Sequence, residues 1–157
     1  MPDVADTLIH ATVVDIAGRG VLLRGPSGSG KSDLALRLVD RGAVLVSDDQ
    51  VLLSARPKGV KAKAPDTLRG MLEVRGIGLV SMPVTGSSFI KLIVDLVGGD
   101  DVERLPEFRR ENLCGKKIPY LKLNAFEVSA PLKIELAVKD ASRIGNVGRI
   151  GNLGPKG

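Results

Sequence analysis

The chain has 157 residues, 43% of them hydrophobic, which is enough for one well-filled core and too little for two ordinary domains. Its net charge of +5 is spread along the sequence, and three Phe, one Tyr and no Trp offer few stacking surfaces, so neither the charge nor the aromatics argue for nucleic acid. Cys114 is the only cysteine, which excludes an internal disulfide, and with no signal peptide and no apolar run of membrane-spanning length the expectation is a cytoplasmic protein away from membranes.

In chain order, residues 8–16 are β-branched and partly alternating, Gly18-Arg19-Gly20 turns the chain, and Val21-Leu22-Leu23 returns it, which predicts a hairpin. Gly25-Pro26-Ser27-Gly28-Ser29-Gly30-Lys31-Ser32 follows. Residues 32–41 have helical spacing, with Leu34 and Leu38 on the inner face beside Ala35 and Val39, Arg37 and Arg41 facing away, and a stop at Gly42. Ala43-Val44-Leu45-Val46 predicts a short buried strand ending at Ser47-Asp48-Asp49. Strands are predicted at 51–55 and 60–64, and residues 72–80 are strand-like but interrupted by Gly76 and Gly78. Residues 89–97 predict the best-formed strand of the second half. The charged stretch 100–117 reads as a mobile loop with at most a helical turn, and 118–123 as a further strand. Ser129 is placed as an N-cap, with Pro131 in the first turn of a helix that turns Leu132, Leu136 and Ala137 inward. The expected domain is 1–143, followed by a Gly-rich disordered tail over 144–157, where Ile-Gly-Asn-Val/Leu-Gly occurs twice.

Residues 25–32 fit the pattern G-x-x-x-x-G-K-[ST] between a strand and a helix. Such a turn aims several backbone N–H groups at one point, and the helix N-terminus adds partial positive charge, so a polyphosphate fits there. Lys31 would reach the outer phosphates, and the Ser32 hydroxyl would ligate Mg²⁺.

Asp48 and Asp49 lie 17 and 18 residues after Lys31, the distance of one helix, a turn and a short strand. A right-handed crossover is expected to set that strand beside the one before the loop, bringing a carboxylate for Mg²⁺ and another for proton transfer to the phosphates. Glu73 and Arg75 share one face of an extended segment, where a surface ion pair is the ordinary reading. A lone His10 near a strand ordinarily serves a structural hydrogen bond.

His10, the loop from Gly25 to Ser32 with Asp33-Leu34-Ala35-Leu36, Arg41-Gly42 leading to Val46-Ser47-Asp48-Asp49, and Leu72-Glu73-Val74-Arg75-Gly76-Ile77-Gly78 form an ordered set. Over residues 7–123 it resembles the catalytic domain of bacterial HPr kinase/phosphorylase. The resemblance implies an α/β, P-loop-containing domain like phosphoenolpyruvate carboxykinase, with a mixed β-sheet. It also implies transfer of phosphate from ATP, with Mg²⁺, to a serine of an HPr-like phosphocarrier of the sugar phosphotransferase system, by a homo-oligomer, a hexamer in the family.

By the same resemblance Lys31 binds the transferring phosphates, Ser32 the metal, and Asp49 acts as base with Asp48 beside it for metal or geometry. Glu73 is a second metal ligand, His10 lies near the transferred phosphate, and Arg104 in Glu103-Arg104-Leu105-Pro106 is a phosphate-touching arginine of a loop. The likeness is to a short form containing the catalytic domain only. Glu127-Val128-Ser129 stand where the family carries a Gly-Arg-Asn stretch linked to dephosphorylation, so the kinase direction is expected and the phosphorylase direction is not. Two other readings compete with the serine kinase: a nucleotide-sensing regulatory module that binds ATP without turnover, and a small-metabolite kinase with residues 100–117 as its lid.

Overall fold

The computed structural model describes residues 6–66 and 69–145. In chain order the strands are β1 Thr7–Ile9, β2 Thr12–Ile16, β3 Arg19–Arg24, β4 Val44–Ser47, β5 Val51–Arg56, β6 Gly59–Lys63, β7 Met71–Val74, β8 Gly78–Ser81, β9 Ser88–Leu96, β10 Arg109–Leu113 and β11 Lys116–Leu123. Helix α1 spans Lys31–Asp40 and α2 spans Ala130–Lys139. The main sheet runs β1-β5-β6-β9-β3-β2-β4, with β11 also on β9 and β10 on β11, while β7 and β8 pair separately.

The strand that feeds the loop is central because it is apolar on both faces: Val21, Leu22 and Leu23 are fully buried. The period of two divides them between two cores. Val21 and Leu23 pack with Leu92, Val94 and the helix residues Leu34, Leu38 and Ile134. Leu22 packs with Ile93, Val13, Leu53 and Tyr120 on the other face. Both helices thus lie on one side of a mixed sheet, as the resemblance implied.

The predicted crossover is corrected in one respect. The β2–β3 hairpin already occupies that edge of β3, so the strand after α1 adds to the outer edge of β2, antiparallel to it. Being two strands away, β4 still runs parallel to β3. On the other side β9 is parallel to β3, and β11 is parallel to β9. Four strands therefore present their C-terminal ends on one side of the sheet, where ligands gather in open α/β folds.

Three further expectations change. The stretch 100–117 is not one loop: after a 3-10 turn at Gly99–Asp101, β10 pairs with β11 through a turn at Cys114 and Gly115. β10 showed no hydrophobic alternation because it is an edge strand, and edges carry charge. Helix α2 turns Ile134, Ala137 and Val138 inward, while Leu132 and Leu136 are 44% and 55% exposed. Ser129 does sit at the helix start with Pro131 in the first turn, but its side chain makes no capping bond. Arg37 and Arg41 lie outside the core, as expected, and bridge surface groups: Arg37 donates to the carbonyls of Ala125 and Glu127, and Arg41 pairs with Glu135 of α2.

Residues 72–80 form the β7–β8 hairpin, its turn carrying Gly76 at φ 93°. Ala141–Arg143 form a short 3-10 turn, and Ile144 is buried in the core. The rest of the expected tail, 146–157, lies outside the described residues.

Candidate active site

The loop between β3 and α1 is shaped by left-handed Gly28 and Gly30, at φ 84° and 96°, which let successive N–H groups face one direction. Gly30 caps α1 without a side-chain acceptor, so the first-turn N–H groups have no side-chain cap. Lys31 is 6% exposed, and its Nζ donates to the carbonyls of Gly25 at 2.6 Å and Pro26 at 3.1 Å. Two of its three protons are so placed, which fixes the ammonium inside the loop. At the base of the loop, Arg24 makes a bidentate pair with Asp95, Nε–Oδ1 2.7 Å and Nη2–Oδ2 3.0 Å, and Tyr120 Oη donates to Asp95 Oδ2 at 2.7 Å. Burial and the Asp95 carboxylate push the Tyr120 phenol up, so it remains a donor at neutral pH.

Asp48 and Asp49 have different surroundings. Asp48 is 7% exposed. Its Oδ1 accepts from Ser32 Oγ at 2.7 Å and Thr12 Oγ1 at 3.0 Å, and its Oδ2 accepts from the Glu73 backbone N–H at 3.1 Å. One carboxylate so joins the phosphate loop, β2 and β7. Asp49 has a left-handed backbone, φ 71°, which an aspartate tolerates, and its side chain is 61% exposed. Its N–H donates to Thr12 Oγ1 at 3.1 Å, and its Oδ1 is hydrogen-bonded to His10 Nε2.

A cleft of about 640 Å³ opens over the loop, within the range of small-molecule sites. Ser27, Gly28, Gly30, Lys31 and Ser32 line its floor, and Asp49, Glu73 and Arg75 line its polar wall. Leu36, Val74 and Phe126 supply apolar surface, with Asp33 at the α1 end. Glu73 and Arg75 face the same cleft, as their i, i+2 spacing required, and make no ion pair with each other among the described residues. Gly25, Pro26 and Ser29 belong to the loop but do not line the cleft. Arg104 is exposed between the 3-10 turn and β10, also outside the cleft lining.

Sequence reasoning overlooked Thr12 and Phe126. Thr12 opens β2 just after the bend at His10, and its nearness in sequence to His10 was the available signal. Thr12 is fully buried and serves both aspartates at once. Thr12→Val keeps the shape and removes the hydroxyl, leaving the Asp49 N–H without its acceptor. Urea unfolding should show a loss of about 1–3 kcal/mol.

The fold and the site define an α/β domain with a phosphate-loop cleft at the C-terminal ends of parallel strands. The family model described as HPr Serine kinase C-terminal domain matches residues 4–138, and the chain belongs to that family. It is 39% identical to an HPr kinase/phosphorylase of Verminephrobacter eiseniae, covering 87% of this chain and 46% of the relative. To one of Bordetella pertussis it is 44% identical, covering 64% of this chain and 36% of the relative. The chain thus spans less than half the length of these curated relatives. Among solved structures it is similar to that of the Hpr(Ser) kinase/phosphatase from Coxiella burnetii, with a TM-score of 0.76, 28% identity, and coverage of 87% of this chain and 91% of that one.

Proposed function

We propose that the chain carries the catalytic site of a protein-serine kinase that transfers the γ-phosphate of ATP to a serine of an HPr-like phosphocarrier. The names of its relatives and its family membership support this reading. The observation that carries it is Asp49: an exposed carboxylate beside Lys31 and Ser32, turned outward by a left-handed backbone and oriented by His10 and Thr12. A module that only sensed nucleotide would need the loop and no positioned base. The setting of such a carrier kinase is the cytoplasm, and no helix among the described residues is long and apolar enough to cross a membrane.

The donor set near the loop suits Mg²⁺, which takes hard oxygen ligands and keeps phosphate and water in its shell. Ser32 Oγ and the Glu73 carboxylate are the groups that would hold it, with Asp48 as the acceptor that orients Ser32. No group of three or more His, Cys, Asp or Glu suited to a metal exists among the described residues, so phosphate oxygens and water would complete the shell. Bound there, the ion would neutralise charge on the phosphates.

The protein's own part is positioning and charge. Lys31 and the loop N–H groups hold the phosphates. Asp49 accepts the proton of the acceptor serine as its Oγ forms a bond to the γ-phosphorus and the bond to the bridging oxygen of ADP breaks. His10 keeps the Asp49 carboxylate aimed. Arg104 has no part in this scheme, and phosphorolysis is not proposed. Single-turnover mixing of the chain with γ-labelled ATP, Mg²⁺ and a purified HPr-type carrier tests it. Label should move to the carrier in one exponential phase, whereas a sensor would retain it as intact ATP.

A further inference from the structure

We propose that Phe126 is the platform on which the nucleobase stacks, so that the ends of the cleft divide between chemistry and base recognition. This rests on the reading of the loop as a nucleotide site. The strand order carries the argument. On one side of β3 lie β2 and β4, and β4 delivers Asp48 and Asp49. On the other side lie β9 and β11, and the segment after β11 delivers Phe126. All four parallel strands end on the same side, with the phosphate loop between the aspartates and the ring. A triphosphate seated on the loop with its transferring end at Asp49 therefore sends its other end toward Phe126.

The ring is held as a platform is held. It is 66% exposed although it lines the cleft. A Cβ at Gly30 would come within 3.3 Å of two ring carbons, so the ring edge rests on the glycine that opens α1. The neighbouring backbone is pinned: Arg37 donates to the carbonyls of Ala125 and Glu127, the Phe126 N–H donates to Asn124 Oδ1 at 3.0 Å, and Ala125 is buried. Arg37 thus fixes the ring to the same helix whose first turn faces the phosphates. An aromatic face kept wet by a rigid segment is satisfied by a flat π surface, which a nucleobase supplies. Stacking accepts every base, because each has a π face.

The test compares ATP with inorganic tripolyphosphate, both as Mg²⁺ complexes, by calorimetric titration of the full chain and of Phe126→Ala. The variant should bind ATP on the order of 10- to 100-fold more weakly and bind tripolyphosphate as the parent does. The chain has no tryptophan, so Phe126→Trp adds a single indole whose fluorescence should change with ATP and not with tripolyphosphate. Unchanged ATP affinity in Phe126→Ala overturns the proposal. An equal loss for both ligands also overturns it, since the ring would then only support the loop. A loss confined to the carrier protein's KM assigns the ring to the acceptor and overturns it too. If the parent chain binds neither ligand, the nucleotide reading itself fails, and this inference with it.

Discussion

Asp49→Asn is expected to slow phosphoryl transfer 10²- to 10⁴-fold, the range for loss of a general base, with ATP affinity essentially unchanged. The amide keeps the size of the carboxylate and can still meet His10, and the backbone N–H of residue 49 can still reach Thr12. What it loses is basicity. On the proposed reading Asp49 is not needed to bind phosphates, because the loop N–H groups and Lys31 would do that. Kinetics should therefore show a fall in kcat with little change in the KM for ATP, the pattern of an interaction made in the transition state. Equal kcat in variant and parent would remove Asp49 from the chemistry.

Asp48→Ala should behave differently, with stability and transfer both falling. The Asp48 carboxylate accepts from Ser32, Thr12 and the Glu73 backbone, so its removal leaves three donors from three elements without an acceptor. Because the acceptor is charged and 7% exposed, a loss of about 2–4 kcal/mol is expected in urea unfolding. Transfer should become undetectable, since Ser32, Asp49 and Glu73 all take their positions from this group or its neighbour Thr12. Asp48→Asn is the informative companion. Its carbonyl can still accept from Ser32 and Thr12, but its NH₂ then meets the Glu73 N–H, donor against donor. It should retain more stability than Asp48→Ala and should shift β7 rather than the phosphate loop.

The strand, loop and helix around Gly25–Ser32 were legible because each step is local: a buried apolar run, glycines at the left-handed positions, then helical spacing ended by Gly42. The separation of Asp48 from Lys31 was legible for the same reason, since one helix and one strand can fill it in few ways. Which strand lies beside β3 was not, because a hairpin partner and a crossover partner compete for the same edge and only the assembled sheet decides. The inner face of α2 was read correctly at Ala137 and wrongly at Leu132 and Leu136, because Ile134 and Val138 offered a second apolar stripe and only the assembled core decides between the two. β10 gave no pattern because four of its five residues are charged or polar and only Leu113 reaches the core.

In the site, His10, Lys31, Ser32, Asp48, Asp49 and Glu73 were singled out in sequence, and the fold brings them together around one cleft. Arg104 was singled out as well and lies elsewhere. Thr12 and Phe126 escaped notice because a buried hydroxyl and an exposed ring have no pattern of their own. Their meaning comes from partners 36, 37 and 96 residues away, in Asp48, Asp49 and Gly30. Thr12 in particular bonds two adjacent aspartates that differ in exposure, Asp48 turned inward and Asp49 outward.

The most direct test of this account is the intact mass of an HPr-type carrier after incubation with the chain, ATP and Mg²⁺. The carrier should gain the mass of one phosphate, on serine and not on histidine. The gain should vanish when that serine is replaced by alanine and should be strongly slowed with Asp49→Asn. ATP bound by the chain with no change in carrier mass would contradict the kinase reading and leave a nucleotide-sensing module.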